Sequence, residues 1–229
     1  MRIYFYFSLL FLSLVSCEFY EGDFIQPDDT ATYKVTFVAD WTKQSHPTSY
    51  PKNAHFSPIF AVAHRYEDYL FSVNDFASEG IKQMAETGAT GILEANAEND
   101  KKENIDKILS SATGRGIAGG QGTASVVLEA NGKHNKISLV SMIAPSPDWF
   151  VAIQDVVLYD RNGWFDLIEI EVDAYDAGTD SGDKFTSSDA ETIPPSPIGY
   201  LTGQPLGNGA EVNPPLGRVI IEKIEQDLD

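Results

Sequence analysis

Three aspartates in the second half of the chain have the residue type and the surroundings of a cation site. Asp148 follows Pro145-Ser146-Pro147, and Asp176 and Asp180 lie in the segment Asp176-Ala177-Gly178-Thr179-Asp180-Ser181-Gly182. Because proline cannot donate to a strand ladder and glycine allows a sharp reversal, both segments are predicted loops. If the loops lie at one end of a sheet, three carboxylates converge, and an all-oxygen site favours a hard ion such as Ca2+.

The same spacing also fits a simpler interpretation. Aspartates are common in turns because their carboxylates accept hydrogen bonds from nearby backbone N–H groups while staying solvated. Spacing alone leaves both interpretations open.

The segments around these loops have the alternation of β-strands. Residues 150–153 and 156–159 are apolar, a polar turn follows at 160–163, and an alternating run reaches Val172, which predicts strand, turn and strand. Further strands are predicted at 33–39, 59–63, 123–129, 136–143 and 216–224. Residues 130–133 have the composition of a hairpin turn between two of them.

Two helices are predicted in the connections between strands. The first covers residues 78–87, with Ser78 as N-cap and Gly88 closing it. The second covers about 95–112, a stretch rich in Glu, Lys, Ile and Leu, whose charges are typical of a solvated face.

The composition limits the class of protein. The chain has 229 residues, enough for one large β domain. Its 16 basic and 34 acidic residues give a net charge of −18, which argues against a nucleic-acid partner. Such acidity suits calcium loops, cationic partners or solubility.

The N-terminus has the pattern of an export signal. Arg2 precedes an apolar stretch at residues 3–14 that is too short to span a bilayer, and Leu14-Val15-Ser16-Cys17 resembles the bacterial lipobox. Cys17 is the only cysteine, which rules out an internal disulfide. We expect residues 1–17 to be a lipoprotein signal with lipidation at Cys17, residues 18–30 a tether, and residues 31–229 one domain. The alternative is an ordinary cleaved signal and a secreted chain.

Sequence motifs of enzymes are weak. The run from Gly114 to Gly119 formally satisfies GxGxxG but lacks the strand before it and the helix after it that a dinucleotide site needs. Asp180-Ser181-Gly182 matches the aspartic-protease triplet, yet that chemistry needs two such aspartates. His64, after a buried run, is interpreted as a hydrogen-bonded core residue, and His46, His55 and His134 lack metal-ligand spacing.

Several segments together resemble the spondin N-terminal domain family. The resemblance rests on Pro145-Ser146-Pro147-Asp148-Trp149, on residues 176–182 and on Thr192-Ile193-Pro194. It continues in Tyr33-Lys34-Val35-Thr36-Phe37 with Trp41, His46-Pro47 and Tyr50-Pro51, in residues 76–80 and 82–86, and in residues 218–224. It covers roughly residues 31–225.

This resemblance implies an all-β fold, an antiparallel β-sandwich of C2-like type with about eight strands and one or two short helices. It also implies a bound calcium ion, with the aspartate ligands at Asp148, Asp176 and Asp180. In some members a glutamate on the preceding strand also faces the metal. Glu129 occupies that place here.

The implied function is that of a calcium-binding extracytoplasmic module for adhesion or ligand binding, anchored to the cell envelope, and we expect no enzymatic activity. The alternatives are a calcium-assisted hydrolase of an extracellular polymer, in which the ion polarises a substrate oxygen, and a purely structural envelope protein. The chain lacks the thrombospondin repeats of animal members and the cysteines that they place between Asp148 and Asp176. Their integrin or matrix partners are therefore not carried over, and we expect an extracellular protein or polysaccharide as ligand, with the membrane contacted through Cys17.

Overall fold

The computed structural model describes residues 30–102 and 107–225. The predicted signal peptide, Cys17 and the predicted tether before Thr30 lie outside the described residues. Neither described helix is long and apolar enough to cross a membrane.

The described residues form fourteen strands and two helices, and five of the strands have only two residues. The elements are, in chain order, β1 (Thr30–Asp40), β2 (His55–Phe56), β3 (Phe60–His64), α1 (Glu79–Thr87), α2 (Gly91–Lys102), β4 (Ile108–Thr113), β5 (Ile117–Ala118), β6 (Gln121–Asn131), β7 (Lys136–Ala144), β8 (Trp149–Val157), β9 (Tyr159–Asp160), β10 (Gly163–Trp164), β11 (Leu167–Glu171), β12 (Asp173–Asp176), β13 (Gly199–Tyr200) and β14 (Gly217–Ile224).

Two antiparallel sheets make up the sandwich. One has four strands in the order β11-β14-β1-β6. The other has eight, with β13-β12-β8-β7-β2-β5 in one path and β3 joining β7 to β4. This architecture confirms the predicted antiparallel β-sandwich. Its strand count exceeds the predicted eight because many strands are very short.

The core has two layers, one on each face of the larger sheet. Between the sheets, alternate residues of β1 point inward and are buried, which explains its period-two pattern. On the outer face, α1 and α2 cover a second apolar cluster that includes Phe60, Val140 and Phe150. Strand β7 is buried on both faces, so its sequence is almost continuously apolar instead of alternating.

Helix α1 follows the prediction closely. Ser78 is the N-cap, and Gly88 ends the helix in the left-handed conformation, with its N–H donated to the carbonyl of Met84. Ile81 and Met84, on the inner face of the helix, are fully buried. The helix therefore packs on the sheet through this buried face, and its two ends are the ones that the sequence predicts.

Removal of this N-cap should destabilise the protein by about 1 kcal/mol. The hydroxyl of Ser78 accepts the N–H of Ile81 at 3.3 Å, and Ser78→Ala leaves that group without its partner. Urea unfolding followed by circular dichroism measures the change. Ser78→Asp, which keeps a capping oxygen, should retain wild-type stability, and equal stability of both variants would show that the cap contributes nothing.

Two predicted elements were wrong. The second helix, α2, begins and ends earlier than predicted, and the residues from Ile108 form β4, which pairs with β3. The turn between β6 and β7 is not a hairpin, because β6 pairs with β1 while β7 pairs with β8 in the other sheet. The segment from β8 onward has the predicted strand, turn and strand, and its later strands are divided between the sheets, with β11 on β14 and β12 on β8.

Candidate metal site

The two acidic loops lie side by side, as the cation hypothesis requires. Strands β12 and β8 are paired so that Asp176, the last residue of β12, lies opposite Trp149, the first of β8. Asp148 precedes Trp149 directly, and its carbonyl accepts the N–H of Ala177 at 3.1 Å. The register of one strand pair therefore brings both loops to the same end of the sandwich.

Asp148 ties the second loop to the first. Its side chain is fully buried, and its Oδ2 atom accepts the N–H groups of Thr179 at 2.7 Å and Asp180 at 3.0 Å. The hydroxyl of Thr179 donates to the same oxygen at 3.3 Å. The other carboxylate oxygen, Oδ1, is buried and has no hydrogen-bond partner among the described residues.

Asp176 and Asp180 also accept backbone N–H groups. Asp176 Oδ1 binds the N–H of Gly178 at 2.8 Å, and the two oxygens of Asp180 bind those of Gly182 at 2.7 Å and Ala190 at 2.8 Å. All three aspartates thus stabilise turns, as the simpler interpretation predicts. Two of them are not solvated, however, since Asp180 is 7% exposed and Asp148 not at all, whereas Asp176 is half-buried.

Gly178 is required where the second loop turns. Its φ is +72°, a left-handed conformation that residues with a Cβ rarely adopt. A Cβ at this position would lie 2.2 Å from the carbonyl oxygen of Ser196, whose N–H donates to the Gly178 carbonyl at 2.8 Å. The loop is therefore held against residues 192–196 by backbone contacts that only glycine allows.

The carboxylates repel one another. Burial and, secondly, the charge of Asp176 raise the pKa of Asp148 to about 6, although the hydrogen bonds from Asp180 and Thr179 act in the opposite direction. Burial also raises the pKa of Asp176, and the charge of Asp180 contributes to the same shift. A cation bound at this end of the sandwich would relieve both effects.

The donor chemistry fits a hard cation. The unpartnered Oδ1 of Asp148 is a buried anionic oxygen without a donor, and Asp176 adds a second carboxylate whose charge acts on it. The described residues contain no group of three or more His, Cys, Asp or Glu side chains already arranged to hold a metal. The ligands implied by the resemblance, Asp148, Asp176 and Asp180, thus do not form such a group in this geometry, and their carboxylates instead stabilise their own loops.

Glu129 is not brought to this cluster. It pairs with Thr32 near the start of β1, whereas Trp41, just after the end of β1, packs on Phe185, which packs on Trp149 beside Asp148. Nine residues of strand separate Thr32 from Trp41, about 30 Å at 3.3 Å per residue. The position implied for Glu129 therefore fails, because β6 runs antiparallel to β1 and ends at the opposite end of the sandwich.

A second polar cluster lies at His64, where the sequence predicts a hydrogen-bonded core histidine. Its Nε2 lies 2.9 Å from Ser138 Oγ and 3.6 Å from Asp155 Oδ1, and its Nδ1 lies 2.8 Å from the Tyr66 carbonyl oxygen. In a hydrolytic triad the serine and the carboxylate contact different ring nitrogens. Here both face Nε2, and His64 and Ser138 are buried, so the cluster is structural and the prediction for His64 is confirmed.

Sequence reasoning did not identify Ser138 or Asp155 as partners of His64. Ser138 is a polar residue in an otherwise apolar strand, and Asp155 interrupts the apolar run of β8 with a φ of +53°. These two polar residues in apolar runs are the sequence feature that could have indicated a buried polar cluster. The order β3-β7-β8 in the sheet, which brings Ser138 and Asp155 to His64, is not visible in the sequence.

The fold and the acidic loops define an antiparallel β-sandwich domain with three aspartates gathered at one end. A family model for Spondin_N matches residues 31–210. Human Spondin-2 is 29% identical over 209 residues, covering 86% of this chain and 62% of its own length. Spondin-1 of Rattus norvegicus is 30% identical over 205 residues, covering 85% of this chain and 25% of its own length.

The chain therefore belongs to the Spondin_N family. It spans less than two thirds of Spondin-2 and a quarter of Spondin-1, so its similarity is to one part of each relative.

Proposed function

We propose that the protein is a calcium-binding module for extracellular adhesion or ligand binding, held to the cell envelope. The observation that carries this proposal is the fully buried carboxylate of Asp148, with one oxygen holding the second loop and the other unpartnered. A buried charge without a counter-charge is costly, and a cation at this place offsets the cost.

In this proposal the ion links two loops that also form the end surface of the sandwich. Asp148 belongs to the loop after β7, whereas Asp176 ends β12 and Asp180 lies in the loop that follows β12. When bound, calcium supplies positive charge and oxygen coordination. The protein residues themselves fix the loop backbone through the bonds to Thr179, Gly178 and Ala190, so the end surface stays ordered for a ligand.

Relatedness to Spondin-1 and Spondin-2 supports an extracellular adhesion or ligand-binding role. The lipobox-like sequence ending at Cys17 supports attachment to the envelope. The ligand would be an extracellular protein or polysaccharide. A binding role is favoured over hydrolysis because Asp180, in the protease-like triplet, uses both carboxylate oxygens to hold backbone N–H groups.

Terbium luminescence tests the metal site, because an excited indole transfers energy to a nearby Tb3+ ion. We expect Tb3+ to give sensitised emission through Trp149, next to Asp148, and Ca2+ to displace it. Asp148→Asn should abolish this emission. Trp149→Phe should remove the emission while calcium binding, measured by calorimetry, persists.

The adhesive role is tested with beads coated with the full chain. They should adhere to cells of the producing organism in calcium and release when a chelator is added. Absence of calcium binding to the wild-type chain would overturn the metal site, and adhesion that ignores both chelator and Asp148→Asn would overturn the calcium-dependent role.

A further inference from the structure

The four-stranded sheet has an open edge at β11. This strand is the outermost in the order β11-β14-β1-β6, and it keeps a regular register with β14 over five residues, Leu167 to Glu171. Natural edge strands are usually protected by lysine, proline, a bulge or a covering segment. The sequence Leu-Ile-Glu-Ile-Glu has none of the first three, and no described strand covers it.

The hydrogen bonds that flank β11 show which of its backbone groups face outward. Before the strand, the N–H of Lys223 donates to the carbonyl of Asp166 at 2.9 Å, and after it the N–H of Val172 donates to Gly217 at 3.1 Å. Hydrogen-bonded pairs alternate with non-bonded pairs in an antiparallel ladder. Every second residue between these two bonds therefore directs its backbone N–H and C=O groups toward β14. The residues in between direct theirs away from β14.

By this alternation Ile168 and Ile170 bond to β14, and the N–H and C=O groups of Leu167, Glu169 and Glu171 face the open edge. Among the described residues, none of these three N–H groups has a backbone partner. The edge thus presents three N–H and three C=O groups in the spacing that a further strand would match.

Pairing of two copies through this edge is disfavoured by charge. In the antiparallel register that pairs all five residues with a second β11, Glu169 lies opposite its own copy. Like charges directly opposite one another destabilise a strand pair. A strand with cations at the corresponding positions avoids this repulsion. Because Arg218 Nε already lies 2.7 Å from Glu169 Oε1, such a cation would mainly face Glu171.

An acidic cavity continues from the end of β11. It has a volume of about 500 Å3, and its lining includes the carboxylates of Glu171, Asp173 and Glu211 without any lysine or arginine. Burial raises the pKa of Asp173, and the charge of Glu171 adds to this shift against a hydrogen bond from Tyr175. This cavity therefore favours a positively charged side chain.

We propose that β11 binds an extended basic segment of a partner protein by strand addition. The pleat sets its pattern: Lys or Arg on the side of Glu169 and Glu171, apolar residues on the side of Ile168 and Ile170, and one basic side chain in the acidic cavity. Ile170 is 37% exposed, which leaves apolar surface for the added strand to cover. The surface is separate from the aspartate loops and does not depend on a metal there.

The probe is a nine-residue peptide of alternating lysine and valine, titrated into the full chain, with an alternating glutamate and valine peptide as its matched comparison. We expect the lysine peptide to bind and the glutamate peptide not to bind. Amide hydrogen exchange at Leu167, Glu169 and Glu171 should slow in the complex, because these N–H groups become paired.

Two variants locate the binding. Glu171→Lys should weaken it about tenfold or more, whereas Glu129→Lys, with the same charge change on the opposite edge of the sheet, should not. Glu171→Pro removes an outward N–H without removing a bond to β14, so it should abolish binding while the melting temperature is kept. Equal binding of both peptides, or of both lysine variants, or unchanged exchange at the three amides would overturn the proposal. Peptide binding should persist when a chelator is present. A finding that the protein does not bind calcium would therefore not contradict binding at β11.

Discussion

Calcium is expected to raise the melting temperature of the full chain by about 5 to 10 °C. A ligand that binds only the folded state stabilises it by about 2.7 kcal/mol when its free concentration is a hundredfold above its dissociation constant. For a domain of this size, 1 kcal/mol corresponds to about 2–4 °C. The effect arises because the folded state alone brings Asp148 beside Asp176.

Asp176→Asn should lose this calcium effect and keep the fold. The asparagine oxygen still accepts the N–H of Gly178, which Asp176 binds at 2.8 Å, but the charge that would hold the ion is gone. Asp189→Asn is the matched control, because it removes one charge from an exposed residue of the following loop. Scanning calorimetry with calcium or chelator measures the shift. An unchanged wild-type melting temperature, or loss of the effect in both variants, would contradict the site.

The second large effect concerns pH in the absence of calcium. The folded protein holds the Asp148 pKa at about 6, against an ordinary value of 3.8, because the carboxyl is buried next to Asp176. Between these pH values the folded state binds a proton that the unfolded state has released. Asp148 therefore makes the protein less stable as pH rises from about 4 to 6, by about 3 kcal/mol at 1.36 kcal/mol for each pH unit.

Other groups also titrate in this range, so the measurement is a difference. Burial lowers the pKa values of His64 and His46, and these residues cost stability as pH falls, which is the opposite direction. Asp148→Asn removes the contribution of Asp148, including its repulsion with Asp176, and leaves those of the two histidines in place. Urea unfolding in chelator at pH 4 to 7 should show the variant gaining stability relative to wild type as pH rises. A constant difference between the two proteins would show that Asp148 does not titrate in this window.

Local structure was predicted well where short-range chemistry decides it. Helix α1 begins at the Ser78 cap and ends at Gly88 because capping needs only residues within one turn. The alternation in β1 and the two acidic loops likewise follow from period-two burial and from proline and glycine. The predicted second helix was wrong from Ile108 onward, because pairing of β4 with β3 outweighs the helix propensity of these residues.

The sequence patterns therefore determined a series of β-strands and a capped helix, and they identified three aspartates in two loops, while the resemblance to the spondin N-terminal domain family implied the sandwich. Only the tertiary structure decided which strands pair. Pairing of β12 with β8 brings Asp176 to Asp148, while pairing of β6 with β1 places Glu129 at the far end. The strand order of the four-stranded sheet also leaves β11 at an open edge. The physical reason is that strand partners are chosen by burial of whole faces over long sequence separations, which period-two alternation alone cannot specify.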